Sequence, residues 1–311
     1  MSIEVLQLCP LMPSLETALS ERFTVHRFFE AADSEAFLAD HAQRVRGVVT
    51  GGHIGIPAEI AASLPALEIV AINGVGFDKV DLAEAKGRGI RVSNTPDVLT
   101  EDVADLALGL VISVLRQIPR GDAHVRQNRW PDGDLPLGSK VSHRRYGIFG
   151  FGRIGQAIAR RLEGFDAELA YASRSPVQTH VRNAGSLVEL AAWSDVLIIA
   201  ASASAETRNI VDASVLEALG PRGVLVNVAR GSLVDEPALL DALESGGIAG
   251  AALDVFVDEP RVPQRFFTMP NVVLTPHMAS ATHETRQAMA DLVLANLDAH
   301  FAGRNLPTAL V

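Results

Sequence analysis

The stretch GIFGFGRIGQAIARRL, from Gly147 to Leu162, constrains the fold more than any other part of the chain. The apolar run Tyr146–Phe149 leads directly into Gly150-x-Gly152-x-x-Gly155, and the residues that follow have helical character. Strand, glycine turn and helix in that order open a βαβ unit and require a parallel sheet. Gly150 permits the tight turn, Gly152 lets the backbone approach a pyrophosphate, and Gly155 lets helix and strand pack closely. The amides of Arg153 and Ile154 then point at phosphate from the positive end of a helix. The motif predicts a bound dinucleotide held by Gly150, Gly152, Arg153, Ile154 and Gly155.

The rest of the chain agrees with that start. Apolar runs at Val5–Leu8, Gly47–Thr50, Glu68–Ile72 and Ile90–Ser93 read as strands of a first series. A second series reads at Tyr146–Phe149, Leu169–Ala172, Val196–Ala200, Val224–Val228, Ala251–Val255 and Val272–Thr275. Their hydrophobicity is continuous rather than alternating, as expected of parallel strands covered on both faces. Helical stretches such as Pro57–Ser63 and Leu82–Arg88 separate them. Two successive series predict an α/β protein with two doubly wound parallel-sheet domains.

The join lies near Pro96. Thr100 is placed to cap a helix, Glu101–Gln117, that is apolar around most of its girth and is therefore expected to be buried. Residues 119–145, rich in Arg, Pro and Gly, read as an irregular arm. A final helix over Thr282–Phe301 carries Met289, Leu292, Val293, Leu297 and Phe301 at core spacing. It follows the last strand of the second series with no strand after it. The domains are accordingly expected to be discontinuous: residues 1–98 with 284–311 for substrate, and 99–283 for the cofactor.

Composition excludes several classes. The 311 residues are 48% hydrophobic and 21% charged, a globular balance. A net charge of −10 argues against nucleic-acid binding, whose footprint is basic. The one cysteine, Cys9, can form neither an internal disulfide nor a thiolate metal cage. The start MSIEVLQLCP has no secretory pattern, and the apolar stretch around Leu106–Leu115 is too short to span a bilayer. A cytoplasmic protein without membrane association is the expectation. The histidines show no metal-ligand spacing, so no metal is expected.

Cofactor choice is read from the strand end AELAYASRSP. An acid that hydrogen-bonds the adenosine ribose is usual about 20 residues after the glycine motif. Ser173, which lies 18 residues beyond Gly155, stands at that place, followed by Arg174 and Ser175. An acid would repel a 2′-phosphate. Two hydroxyls and a guanidinium can bind one. NADPH is therefore expected ahead of NADH.

The blocks VNVARGSLVDE, ALDVFVDEP and NVVLTPHMASATHETR complete a further pattern. With NGVGFDKVDL and the glycine loop before them, the chain resembles the D-isomer-specific 2-hydroxyacid dehydrogenase family over most of its length. It is most similar to the glyoxylate/hydroxypyruvate and hydroxyphenylpyruvate reductase branch. The resemblance implies a Rossmann cofactor domain, a flavodoxin-like substrate domain, a cleft that closes over substrate, and a homodimer embraced by the 119–145 arm, with Trp130 in it. It implies catalytic roles for Arg230, Glu259 and His277. Reducing a 2-oxo acid requires a proton for the carbonyl oxygen and cationic help for the carboxylate. His277 suits the general acid, Glu259 would orient its ring and favour imidazolium, and Arg230 would hold and polarise the substrate. The amides of Val75 and Gly76 would grip the substrate carboxylate, beside Arg230 and His277. Asp254 would hold the nicotinamide carboxamide, with Val228 and Ala229 lining that end of the cofactor site.

The chain departs from the family in Met278 and Ala279 after His277, and in SHRR before the glycine-loop strand. Neither removes a reacting group. The expected activity is NADPH-dependent reduction of glyoxylate and hydroxypyruvate. Alternatives are larger keto acids, such as 2-ketogluconate and phenylpyruvates, and a non-enzymatic corepressor-like dinucleotide sensor.

Overall fold

The structure is a computed structural model and describes residues 2–311. The chain divides into two compact units: residues up to Leu99 with Ser280–Val311, and Thr100–Ala279. The second crossing lies slightly earlier than the 283/284 boundary expected. Thr282 caps the helix His283–Phe301, and the Thr285 hydroxyl donates to Val98 O at 3.2 Å, so the helix start is tied to the first unit.

In the first unit β1 (Glu4–Gln7), β2 (Thr24–Arg27), β3 (Val45–Gly51), β4 (Ile69–Asn73) and β5 (Arg91–Ser93) form a parallel sheet of order β2-β1-β3-β4-β5. Strand β2 was not legible as an apolar run. It lies at the edge, its residues are half-buried or exposed, and TVHR carries mixed polarity. Val45, Val48, Val70 and Ile72 pack with Ile60, Ala85 and Ile90 in one core layer. Val5, Val49 and Ile69 pack with Leu15, Leu19 and the Val293–Leu297 face of the last helix in another. Both faces are thus covered, which explains the continuous hydrophobicity of these strands.

In the second unit β6 (Arg145–Phe149), β7 (Glu168–Ala172), β8 (Arg182–Asn183), β9 (Val196–Ile199), β10 (Val224–Asn227), β11 (Gly250–Leu253) and β12 (Val272–Leu274) form a parallel seven-stranded sheet. Its order is β12-β11-β10-β9-β6-β7-β8. Strand order reverses between β6 and β9, the switch point at which open α/β sheets bind ligands beyond their carboxyl ends. The two-residue β8 is too short to leave a sequence signal.

Two expectations are corrected. The helix begins at Thr100, and only one of its faces, with Val103, Ala104, Ala107, Leu110, Val111 and Leu115, is buried. Its outer face carries Glu101 and Asp105, which pair with Arg160 and Arg161 of the helix Arg153–Glu163. The arm 119–145 is not irregular throughout: Ile118–Arg126 is helical, with Pro119 in the first turn where a missing N–H costs nothing. Among the described residues no helix is long and apolar enough to cross a membrane.

Candidate active site

All the candidate groups of the second unit stand beyond the carboxyl ends of its strands. The turn after β6 holds Gly150 at φ 93°, where a side chain is strained, and an added Cβ would collide with the Ala201 backbone. An added Cβ on Gly155 would collide with Gly150 O, so that glycine sets how closely the helix Arg153–Glu163 sits on its strand. Gly152 is different. A Cβ there meets nothing within 4 Å, and no side chain caps the helix it begins. The result is an open space in front of uncapped helix amides, which fits a pyrophosphate. Beyond β7, Ser173 is half-buried with its hydroxyl donating to Ser175 O at 2.7 Å. Arg174 and Ser175 are exposed.

Adjacent parallel strands β10, β11 and β12 end in register, Asn227 beside Leu253 and Leu253 beside Leu274. Their loops carry the polar groups. Asn227 is fully buried, accepts from Ala229 N at 3.0 Å and donates to Arg230 O at 2.9 Å, so it shapes the Val228–Arg230 turn. Arg230 is half-buried in extended backbone, one guanidinium nitrogen donating to Ala229 O at 2.8 Å. An added Cβ on Gly231 would collide with the Phe256–Val257 backbone, so glycine is what lets the Arg230 loop lie against the loop after β11.

Asp254 is also fully buried. One oxygen accepts from the Thr275 hydroxyl at 2.6 Å and Met278 N at 2.9 Å, the other from Ala279 N at 3.0 Å. Its visible work is to hold the turn around His277. That turn needs holding: His277 has φ 50°, a left-handed conformation unusual for a residue with a side chain. Its N–H donates to Asp254 O at 2.8 Å.

The His277 Nδ1 and Glu259 Oε2 are 2.6 Å apart, both side chains half-buried. The other carboxylate oxygen of Glu259 accepts from Phe256 N at 2.9 Å, which fixes the carboxylate in turn. Glu259 thus orients the imidazole through its Nδ1 side. Glu236 at the start of the next helix accepts from Val257 N at 3.4 Å; burial and the nearby Asp258 push its carboxyl above the usual range against that bond. Asn227 and Glu236 were missed in the sequence. A polar residue closing the buried strand VLVN was the available signal for the first.

In the first unit the loops after β3 and β4 touch through backbone: a Cβ on Gly52 would lie 2.8 Å from Gly76 O. The side chains of Ile54 and Phe77 are exposed beside this contact. Among the described residues one group of metal-binding types, Glu4, His26 and His41, comes together elsewhere in this unit. The Arg44 guanidinium already bonds Glu4 at 2.8 Å and lies 3.4 Å from His41 Nδ1, so a protein cation sits at that cluster.

Residues 108–279 match the family model described as the D-isomer specific 2-hydroxyacid dehydrogenase, NAD binding domain. The chain is 49% identical over 311 residues to the hydroxyphenylpyruvate reductase of Plectranthus scutellarioides, covering 100% of this chain and 99% of the relative. It is 44% identical to the 2-ketogluconate reductase of Gluconobacter oxydans over 99% of this chain and 98% of the relative. The NADPH-dependent glyoxylate/hydroxypyruvate reductase of Sinorhizobium meliloti, solved with NADP and malonate, is similar at a TM-score of 0.95 and 45% identity, covering 100% of this chain and 97% of that one.

Proposed function

The chain belongs to the D-isomer-specific 2-hydroxyacid dehydrogenase family, and from that premise we propose that it is an NADPH-dependent reductase of small 2-oxo acids, chiefly glyoxylate and hydroxypyruvate. The observation that carries the reading is the 2.6 Å pairing of Glu259 with His277 Nδ1. It fixes the ring by its Nδ1 side and puts a carboxylate behind the imidazole that would deliver a proton.

When bound, NADPH supplies the hydride. The protein's own groups do the rest. Gly150, Gly152 and Gly155 with the Arg153 and Ile154 amides hold the pyrophosphate, while Ser173, Arg174 and Ser175 recognise the 2′-phosphate. The Val75 and Gly76 amides take the substrate carboxylate. Arg230 is the second unit's cation for the substrate and would polarise the carbonyl, drawing electron density from the carbon that is reduced. His277 gives its Nε2 proton to the carbonyl oxygen, and Glu259 keeps the ring aimed. Val228 and Ala229 line the nicotinamide end, and Asp254 supports His277.

A second reading, larger keto acids, is favoured by the exposed apolar Ile54 and Phe77 beside the candidate carboxylate loop. A panel of glyoxylate, hydroxypyruvate, phenylpyruvate and 2-ketogluconate, each with NADPH and NADH, tests both. The main reading expects the highest kcat/KM with NADPH and the two small acids. A preference for phenylpyruvate or 2-ketogluconate selects the second, and no oxidation of either cofactor overturns both. We further propose a cytoplasmic homodimer. The exposure of Ile118, Val125, Trp130 and Leu137 along the 118–137 arm supports the second copy.

A further inference from the structure

The amides of Val75 and Gly76 lie in a loop with no helix to orient them. A peptide group is planar, and in the trans form its N–H points opposite to the carbonyl of the preceding residue. Whatever holds the Gly74 carbonyl therefore sets the Val75 N–H, and whatever holds the Val75 carbonyl sets the Gly76 N–H. Gly74 O accepts from Thr95 N at 2.9 Å, and Val75 O accepts from Asn94 Nδ2 at 2.8 Å. Among the described residues neither Val75 nor Gly76 donates its own N–H to a protein acceptor. Two consecutive donors thus point away from two anchored carbonyls, an arrangement suited to an anion.

Asn94 is itself held. It is buried, and its backbone carbonyl accepts from the Thr308 hydroxyl at 2.6 Å. That hydroxyl accepts from Asn296 Nδ2 at 2.8 Å, and Thr308 N donates to Asn296 Oδ1 at 3.2 Å. Asn296 is fully buried in the helix His283–Phe301 and also donates to Leu292 O at 2.7 Å. Leu310 N donates to Val92 O at 2.7 Å, and Ser93 bridges Ala309, so this segment is fastened along β5. A partly buried chain of hydrogen bonds, with Asn296 and Asn94 buried, therefore runs from Asn296 through Thr308 and Asn94 to the Val75 carbonyl. Polar chains held at buried residues rigidify what they connect.

We infer that Asn94 is a positioning residue for substrate: with its backbone carbonyl held by Thr308, itself held by Asn296, its side-chain amide aims the Gly76 N–H at the carboxylate of the 2-oxo acid. The inference rests on the proposed assignment of Val75 and Gly76 to that carboxylate.

The test compares Asn94→Asp, which keeps the side chain's size but removes its N–H donor, with Thr308→Val and Thr308→Ser. For each, KM and kcat with glyoxylate, the inhibition constant of oxalate, and NADPH affinity by fluorescence are measured. Asn94→Asp is expected to raise KM and the oxalate constant together by on the order of tenfold, the size of one misdirected bond to a charged group. NADPH affinity stays unchanged, and kcat falls less than KM rises. Thr308→Val shifts the same two constants by less, and Thr308→Ser restores them. Unchanged KM and oxalate inhibition in Asn94→Asp overturn the inference, as does a parallel loss of NADPH binding. If Asn94→Asp does not fold, equal behaviour of the Thr308 pair overturns it. Wild-type protein that reduces no 2-oxo acid is a separate result, seen before any variant is made, and it removes the functional reading and this inference together.

Discussion

Two glycine-rich loops face anions in the proposed reaction, and they are built differently. The loop after β6 runs into an 11-residue helix, so its amides are oriented by the next residues in the chain. The loop after β4 has no helix behind Val75 and Gly76, and its carbonyls are fixed by Asn94 and Thr95. The first grip is local in sequence and needs only correct glycines. The second depends on Thr308 and Asn296, more than two hundred residues distant in the chain. Phosphate binding of this kind travels as a motif, whereas carboxylate binding of this kind belongs to one tertiary structure.

The comparison can be sharpened by changes that separate grip from chemistry. His277→Ala leaves both loops intact and should lower kcat by about 10²–10⁴-fold, the usual worth of a general acid. Pre-steady-state and steady-state reduction of hydroxypyruvate measure it, and near-normal turnover would remove His277 from the reaction. NADPH affinity should hardly change.

Arg174→Ala tests the local grip at its far end. A bond to a charged group contributes about 1.5–3 kcal/mol, so NADPH binding should weaken roughly 10- to 150-fold. NADH should be affected much less, because it lacks the 2′-phosphate. Equal weakening of both cofactors, measured by titration, would show that Arg174 does not read the phosphate.

Gly152→Ala is the smallest change. A Cβ there meets no protein atom within 4 Å, so thermal stability should hold. Close approach of backbone to the pyrophosphate should nevertheless be hindered, giving a loss of NADPH and NADH affinity smaller than the NADPH loss of Arg174→Ala. Unchanged affinity for both would place the pyrophosphate away from Gly152. Glyoxylate KM should not respond, which is the mirror image of the result expected for Asn94→Asp.

Legibility in the sequence followed locality. Strands β6, β9 and β10 are apolar because both faces are covered, so their positions could be read directly. Edge strands β2 and β8 could not, because half-exposed or two-residue strands carry no such signal. The helix Ile118–Arg126 was hidden by Pro119 and Gly121, residues that usually mark loops; here the proline sits in the first turn, where it is tolerated. Arg230, Glu259 and His277 were assigned only through a family pattern, since each alone suits an ordinary loop; what the structure adds is the Glu259–His277 pairing. That Asp254 also braces the His277 turn, through Thr275, Met278 and Ala279, had no signal in the sequence. No spacing rule reveals which backbone amides a buried carboxylate will meet.

The sequence by itself determined the parallel two-sheet architecture, the strand–glycine turn–helix unit at Gly150–Gly155 and the presence of Ser173, Arg174 and Ser175 where a ribose-binding acid is usual. These depend on hydrophobic periodicity, backbone sterics and charge within short stretches, all of which are properties of neighbouring residues. Tertiary structure alone decided how His277 is held at φ 50°, which nitrogen Glu259 occupies, and how Asn94 is locked by Thr308. Those depend on which hydrogen-bonding groups meet once the sheets have formed, and a buried donor takes the partner that folding places within reach, however far away it lies in the chain.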